Sequence, residues 1–538
     1  MNKIKSLFIT ILAITVMLPA YSQSKEFKTG KSLDVQYSVL RELSMFYVDS
    51  IEVDKLIEIG INAMLESLDP YTVYIPAEDT ESVELMTTGS YGGIGATIRK
   101  KDSGVLLSEI YENSPAAQAG LVAGDMILKI NGVLTSEMPV DSCSARMKGR
   151  PGSEVNFLVK RLRGGDTLSF KLIRNKVHFP DVAYSGFLND TTGFIRLTGF
   201  TIGGSKDFKR DLLELKKNTK MKRLIIDLRG NGGGLLDEAV NIVSLFVPKA
   251  TKVVSALGRY KQADIVYLTK EEPVDTTLKL VVLVNSLTAS SSEIVAGSLQ
   301  DLDRATIVGT KTYGKGLVQA IRDVGYKNSM KLTTAKYYTP SGRCVQAIDY
   351  SQRNEDGSVG NIPDSLKKAF KTLKGRTVYD GGGITPDTII EPVPISRPVL
   401  SLIYGEVLTD YSILYFKDHP TISKPKDFTL TSAEYDEFMK YAVNKEFDNR
   451  TASEVELDKL ISTAKKESLY DDNKEEIAAL EKKIRLSKED VLRRNSSEIK
   501  IFLEEEIVNR YYLARGQIES IIKNDQQVKV ANAVKLIN

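Results

Sequence analysis

Leu280-Val-Val-Leu-Val-Asn285 is followed at once by Ser286-Leu-Thr-Ala-Ser-Ser-Ser-Glu293-Ile-Val-Ala-Gly297. An apolar strand, a small hydroxyl-rich turn and a segment of helical spacing succeed one another without a gap. In such a strand–turn–helix a serine hydroxyl can stand exposed beside backbone N–H groups that no helical carbonyl satisfies. The spacing Ser290-x-x-Glu293 also fits a capping box, in which Ser290 is only a helix cap. A serine hydroxyl is a weak nucleophile at neutral pH and needs a base within hydrogen-bond reach. The two histidines, His178 and His419, follow no core strand. Lysine is the other available base, provided burial keeps it neutral.

Lys315 has the setting for that role, in Thr312-Tyr-Gly-Lys-Gly-Leu-Val-Gln319. Its flanking glycines allow a tight turn and a close approach to another segment. Gln319 falls on the same face of a regular strand and is placed to orient the amine by a hydrogen bond. A solvated lysine in an exposed turn is the plainer reading of Gly-Lys-Gly. A third stretch, Asp227-Leu-Arg-Gly-Asn-Gly-Gly-Gly234, presents backbone N–H groups uncrowded by side chains. Together with the N–H of Ser291, such groups are candidate donors to a tetrahedral oxyanion. The residues alone do not choose among Ser290, Ser291 and Ser292 as nucleophile.

These stretches need elements to bring them together. From about residue 177 strands at 193–197, 223–228, 280–285, 306–308, 317–322 and 330–336 alternate with helices at 204–218, 235–246 and from 291. That alternation predicts an α/β domain with a mostly parallel sheet. The residues just past strand C-termini commonly make the site in such a sheet, and the serine and triglycine turns both stand there.

Ahead of this domain, Gly89-Ser-Tyr-Gly-Gly-Ile-Gly95 reads as a glycine-rich loop running into a strand. Ser114-Pro-Ala-Ala-Gln-Ala-Gly120 and Gly124-Asp-Met-Ile-Leu-Lys-Ile-Asn-Gly132 follow, and further strands close the module. The order resembles a PDZ domain over residues 89–176. Backbone N–H groups at Tyr91, Gly92, Gly93, Ile94 and Gly95 are placed to form a nest for a terminal carboxylate, and the strand beside them to accept a peptide by strand addition.

The flanks read as helical. Residues 25–88, with Leu33, Tyr37, Leu40, Leu43 and Tyr47 at helical spacing, predict an arm that packs on a core. Residues 396–538 predict a charged, solvated helical region, where an adaptor or self-association is the remaining option. Lys3 and Lys5 before the apolar run 7–18, then Ala20-Tyr-Ser22, predict a secretory signal peptide over 1–22, hence an exported, periplasmic protein without stable membrane insertion. With 73 Lys and Arg against 70 Asp and Glu, no basic patch suggests a nucleic-acid partner. Cys143 and Cys344 lie far apart, and with two histidines they leave no zinc-type cluster. The glycine stretches match neither a dinucleotide nor a Walker-type phosphate loop, so no metal or other cofactor is expected.

Taken in order, Asp227 to Gly234, Asn285 to Gly297, Gly314 to Gln319, Tyr338-Thr-Pro-Ser-Gly-Arg343 and Gly381-Gly-Gly-Ile-Thr-Pro-Asp387 resemble the carboxyl-terminal processing peptidases, or tail-specific proteases. The resemblance covers about 30–395. It implies a multidomain α+β chain: helical arm (25–88), PDZ domain (89–176), α/β serine protease core (177–395) and C-terminal helical region (396–538). It implies a Ser-Lys endopeptidase acting through an acyl-enzyme on proteins selected by apolar free C-termini. Ser290 falls on the nucleophile, Lys315 on the base and Gln319 on the lysine-orienting glutamine; the oxyanion donors fall on Ser291 and on Gly233 or Gly234. Leu287, Thr288 and Ser291 depart from the family's usual small residues, which is expected to bear on substrate preference. The competing expectation is a PDZ-type peptide-binding scaffold on an inactive protease-like core.

Overall fold

The computed structural model describes residues 25–162, 165–354 and 356–535; the expected signal peptide lies outside them. The chain divides into two units. The first holds the described residues up to Pro76 together with Ile321–Leu332. It contains α1 (Lys25–Phe46), α2 (Val53–Glu66) and β1 (Val73–Ile75), which pairs antiparallel with Ser329–Lys331. The helices form where the apolar spacing predicted them, and within this unit little covers their apolar face. No residue from 26 to 68 is buried, and Leu33, Tyr37 and Phe46 stay more than half exposed. An apolar stripe marks a face that can be covered; it does not supply the cover.

The second unit spans Ala77–Ala320 and Thr333–Asn538. It begins with α3 (Thr80–Thr88), β2 (Ser90–Gly93), β3 (Ala96–Lys101), β4 (Gly104–Ile110), α4 (Pro115–Gln118), β5 (Met126–Ile130), β6 (Val133–Leu134), α5 (Val140–Met147), β7 (Glu154–Lys160), β8 (Thr167–Ile173) and β9 (Asn175–His178). Antiparallel β3-β4-β5-β7-β8 enclose Ile94, Leu107, Ile127 and Phe157. The expected glycine loop is in part a strand, because β2 pairs antiparallel with β9. Gly92 is needed for this: a Cβ there would meet the Gly149 carbonyl oxygen at 2.3 Å.

The core follows with β10 (Val182–Asn189), β11 (Thr192–Leu197), α6 (Gly204–Lys216), β12 (Arg223–Asp227), α7 (Leu236–Ser244), β13 (Lys252–Gly258), β14 (Ile265–Leu268), β15 (Lys279–Val284), α8 (Ser291–Asp301), β16 (Ala305–Gly309), β17 (Leu317–Gly325) and β18 (Asn328–Tyr338). Two hairpins, β19 (Ile348–Arg353) with β20 (Val359–Asn361) and β21 (Ala369–Lys371) with β22 (Thr377–Tyr379), precede β23 (Thr388–Ile389). The central sheet has the order β10-β11-β12-β15-β16-β23, with every pair parallel except β10 with β11. Its strands are near-continuous apolar runs because both faces are covered. Alternate residues divide between those faces. Ile195, Ile226, Val282 and Ile307 pack with Phe208, Val243 and Val295, whereas Phe194, Ile225, Val281 and Val308 pack with Ile518, Val528 and Ala531.

That second cover comes from the C-terminal region: α9 (Arg397–Tyr404), α10 (Val407–Asp418), α11 (Ser432–Val443), α12 (Ala452–Lys466), α13 (Lys474–Ile484), α14 (Lys488–Arg494), α15 (Ser496–Asn524, broken at Leu513 with φ +55°) and α16 (Gln526–Ala533). The expectation of a solvated appendage is therefore corrected. The region has its own core of Leu402, Tyr411, Phe438, Leu503 and Ile507, and its last helices close the protease sheet. The covering residues are few and dispersed among charges, which hides them from a composition reading.

Candidate active site

The serine turn is built by short side chains gripping backbone. Asn285 N–H donates to Thr288 Oγ1 (2.9 Å), and that hydroxyl donates to the Leu228 carbonyl at the end of β12 (2.9 Å). Asn285 Oδ1 accepts from Gly230 N (3.0 Å) and Leu287 N (3.1 Å), joining the serine turn to the triglycine turn. Thr288, one departure from the family pattern, is thus a buried clip between two strands. Leu287, another departure, stands 64% exposed beside the turn.

Ser290 has φ +56° and ψ −118°, a conformation that costs a non-glycine residue about 1–3 kcal/mol. It persists because the surroundings over-determine it. Its N–H donates to Glu293 Oε2 at 2.9 Å, which closes one half of the capping box. On the other half the Ser290 hydroxyl faces the Glu293 N–H without making a full cap hydrogen bond. The neighbouring hydroxyls are committed elsewhere: Ser291 Oγ donates to the Gly234 carbonyl (2.8 Å) and Ser292 Oγ to the Asn231 carbonyl (3.0 Å). Sequence left three serines equivalent. Among the described residues, only the half-buried Ser290 keeps its hydroxyl out of such a bond.

Glu293 is the residue that sequence reasoning undervalued, having treated it as half of a cap. Its carboxylate is fully buried. Oε1 accepts from Thr312 Oγ1 (2.6 Å) and Gly314 N (2.8 Å); Oε2 accepts from Ser290 N (2.9 Å) and Lys315 N (2.8 Å). One oxygen therefore holds the backbone nitrogens of Ser290 and Lys315, which lie no further apart than the sum of those two lengths. Burial pushes the Glu293 carboxyl up from its ordinary value, and its hydrogen bonds from Thr312, Lys315, Ser290 and Gly314 oppose that. Tyr313 N–H adds a bond to the Thr288 carbonyl (3.0 Å). The Lys315 turn is thus strapped to the serine turn, not free in solvent. Its glycines make this possible: a Cβ at Gly314 would meet Ala347 Cβ at 2.4 Å, and one at Gly316 would meet Gln346 N at 2.7 Å.

The two later motifs serve as scaffolding. Arg343 and Asp301 form a buried pair (2.8 Å), and Thr339 Oγ1 donates to Asp301 Oδ2 (2.5 Å), fixing the far end of α8. Ile384 N–H donates to Thr312 Oγ1 (2.6 Å), beside the Lys315 turn. Tyr337 is buried, which pushes its phenol well up, and its hydroxyl donates to the Ser290 carbonyl (3.2 Å). Gln319 donates through Nε2 to Thr333 Oγ1 (3.1 Å).

On the other side of Ser290, the triglycine turn packs as tightly as chemistry permits. A Cβ at Gly233, whose φ is +98°, would stand 2.8 Å from both the Ala289 carbonyl oxygen and Ser290 Cβ. The structure divides the two candidate glycine donors. Gly233 N–H is spent on Asn231 Oδ1 (2.9 Å), whereas the N–H groups of Gly234 and Ser291 have no partner among the described residues. The histidines lie elsewhere: His178 Nδ1 meets Ser90 Oγ (3.1 Å), and His419 stacks on Tyr415. Cys143 and Cys344 are free thiols.

A second peptide-sized feature lies on the module of β2 to β9. β3 is the edge of its sheet. Beside it a groove is lined by Tyr91, Ile94, Ala96, Ile98, Met147 and Lys148. The N–H groups of Ile94 and Gly95, at the end of the groove, have no partner among the described residues.

Comparison with known proteins agrees with this layout. Residues 191–352 match peptidase family S41, 107–161 a PDZ domain, and 399–536 the C-terminal helical domain of a probable PDZ-protease. The carboxy-terminal-processing protease of Bartonella bacilliformis is 35% identical over 346 residues, covering 62% of this chain and 77% of the relative. A probable CtpA-like serine protease of Staphylococcus aureus is 32% identical over 321 residues, 59% of this chain and 64% of the relative. The solved photosystem II D1 C-terminal processing protease is 26% identical, with 66% of this chain and 92% of that one covered and a TM-score of 0.36. The fold and site define a serine peptidase carrying a PDZ domain. The chain belongs to the carboxy-terminal-processing proteases of family S41.

Proposed function

We propose that the chain is an exported endopeptidase that cuts proteins chosen by their apolar free C-termini, with Ser290 as nucleophile and Lys315 as general base. The observation that carries this reading is the single Glu293 oxygen that accepts both the Ser290 and the Lys315 N–H. Neutral Lys315 takes the hydroxyl proton as Ser290 Oγ bonds to the scissile carbonyl carbon. The carbonyl oxygen becomes an oxyanion facing the unpartnered N–H groups of Ser291 and Gly234; Gly233 joins them only by releasing Asn231. The Lys315 ammonium returns its proton to the leaving amine, and water then hydrolyses the acyl-enzyme. Gln319 spends its NH2 on Thr333, which leaves its oxygen as the atom that can accept from the ammonium.

The groove at β3 receives the substrate's C-terminal residues as an added strand, with its carboxylate at the Ile94 and Gly95 N–H groups. The Lys3–Ser22 pattern supports export to the periplasm; among the described residues no single helix is long and apolar enough to cross a membrane. The test is incubation of the wild type, Ser290→Ala and Lys315→Ala with an unfolded exported protein ending in apolar residues, with fragments mapped by mass spectrometry. Both variants are expected to fold and to lose cleavage by at least about a thousandfold. Cleavage surviving in either variant overturns its assignment.

A further inference from the structure

The triglycine turn is held from a direction the catalytic chemistry does not require. Arg229 sits between the end of β12 and the glycines. Its Nε and Nη2 donate to Asp227 Oδ1 (2.8 Å) and Oδ2 (2.7 Å). Its remaining arm, Nη1, reaches the C-terminal region, where it meets Asp525 Oδ2 (2.7 Å) and Gln527 Oε1 (2.9 Å). Asp525 is also the N-cap of α16, accepting through Oδ1 from Gln527 N (2.8 Å) and Val528 N (3.1 Å). Gln527 Nε2 donates in turn to the Ile390 carbonyl (2.7 Å), just past β23. Burial works against the Arg229 charge, and the Asp227 and Asp525 carboxylates outweigh it.

At the opposite end of the same strand, Arg223 donates to the carbonyls of Ala531 (3.2 Å), Asn532 and Val534 (3.1 Å), at and just past the end of α16. One helix is thus clamped at both ends by the arginines flanking one strand. Only the Arg229 clamp touches the turn that faces Ser290. Two residues beyond Arg229, the Asn231 carbonyl accepts from Ala289 N (3.0 Å) and Ser292 Oγ (3.0 Å), and its side chain accepts from Gly233 N. A rotation of Arg229 therefore has a short path into the glycine backbone.

We propose that Asp525, assisted by Gln527, is a positioning residue for catalysis: by fixing Arg229 it sets the triglycine turn so that the Gly234 N–H is aimed at the forming oxyanion. The proposal rests on the reading in which this turn supplies an oxyanion donor. It makes the C-terminal helical region part of the catalytic apparatus and not only a cover for the sheet. Losing one oxyanion donor outright costs about a hundred- to a thousandfold in kcat, and a misaimed donor costs less.

The experiment uses the full chain and compares Asp525→Asn, Asp525→Glu, Gln527→Ala, Arg223→Gln and Ser290→Ala on one peptide substrate, with melting temperature read for each. Asp525→Asn is expected to lower kcat by about ten- to fiftyfold with KM within about twofold of the wild type. Asp525→Glu is expected to recover most of that loss, and Gln527→Ala to lower kcat by about three- to tenfold. Arg223→Gln releases the other end of the same helix, so it should lower the melting temperature at least as much as Asp525→Asn while leaving kcat within about threefold. Wild-type kcat in Asp525→Asn overturns the proposal, as does an equal loss of kcat in Arg223→Gln, which would reduce the contact to helix anchoring. Cleavage retained by Ser290→Ala overturns the underlying nucleophile assignment instead, so the two failures are distinguishable.

Discussion

The two glycine-rich stretches proposed to meet substrate backbone are built on opposite plans. At Gly232 to Gly234 the turn is tied to its neighbours through Asn231, Asn285, Thr288, Ser291 and Ser292, while the Gly234 and Ser291 N–H groups have no partner among the described residues. At Tyr91 to Gly95 the backbone is tied on one side through β9 and Gly149, and at its end the Ile94 and Gly95 carbonyls accept from Ala116 N and Tyr111 N. There the other side ends at an edge strand with an open groove. The first arrangement aims donors at one point in space, as stabilisation of a developing charge requires. The second leaves a ladder position unfilled, as capture of an extended chain end requires. Glycine content alone does not distinguish a rigid site from a receptive one; the partners of the surrounding N–H groups do.

The largest effect that can test this contrast is at the pinned site. Glu293→Gln places an NH2 where the carboxylate accepts four donors, so at least one backbone N–H loses its partner. The expected loss is about a thousandfold in kcat and about 2–4 kcal/mol in stability by denaturant unfolding. A variant that loses stability but not kcat would show that the carboxylate holds the fold and not the Ser290–Lys315 geometry. Next in size is Gly233→Ala, whose added Cβ would press on Ala289 and Ser290. A kcat lowered by about a hundredfold with KM little changed is expected, by steady-state kinetics.

The parts of this contrast that sequence made legible are those that need only local pattern. The strands of the core showed as apolar runs, and their ends at Asp227 and Asn285 showed as small or polar residues, so both turns could be placed. The role of Glu293 was hidden because three of its four donors lie far ahead in the chain, at Thr312, Gly314 and Lys315, and a capping box accounts only for the fourth, Ser290. The difference between Ser290 and its neighbours was hidden too, since it depends on which loop carbonyls the hydroxyls of Ser291 and Ser292 reach. The flanking helices make the same point. Helical spacing read alike at both ends of the chain, yet no described residue of α1 or α2 is fully buried whereas α16 covers the sheet through Val528 and Ala531. Periodicity reports that a face exists, and tertiary placement decides what it meets.

At the receptive site the effects should be smaller and fall on binding. Gly92→Ala drives a Cβ into the Gly149 carbonyl and should shift β2, raising KM for tailed substrates by about tenfold while kcat is kept. That result against the kcat loss of Gly233→Ala is the sharpest separation of the two plans, because the same atom is added in each. The smallest effect probes the N–H groups of Ile94 and Gly95 from the substrate side. Amidating the C-terminus of an otherwise identical peptide removes its charge but leaves its strand intact, so the added ladder still forms. Cleavage of the amide should be slower by about three- to tenfold at low substrate and equal at saturation, since the lost interaction belongs to capture and not to the transition state. Equal rates at low substrate would mean that this groove selects by side chain and strand pairing alone.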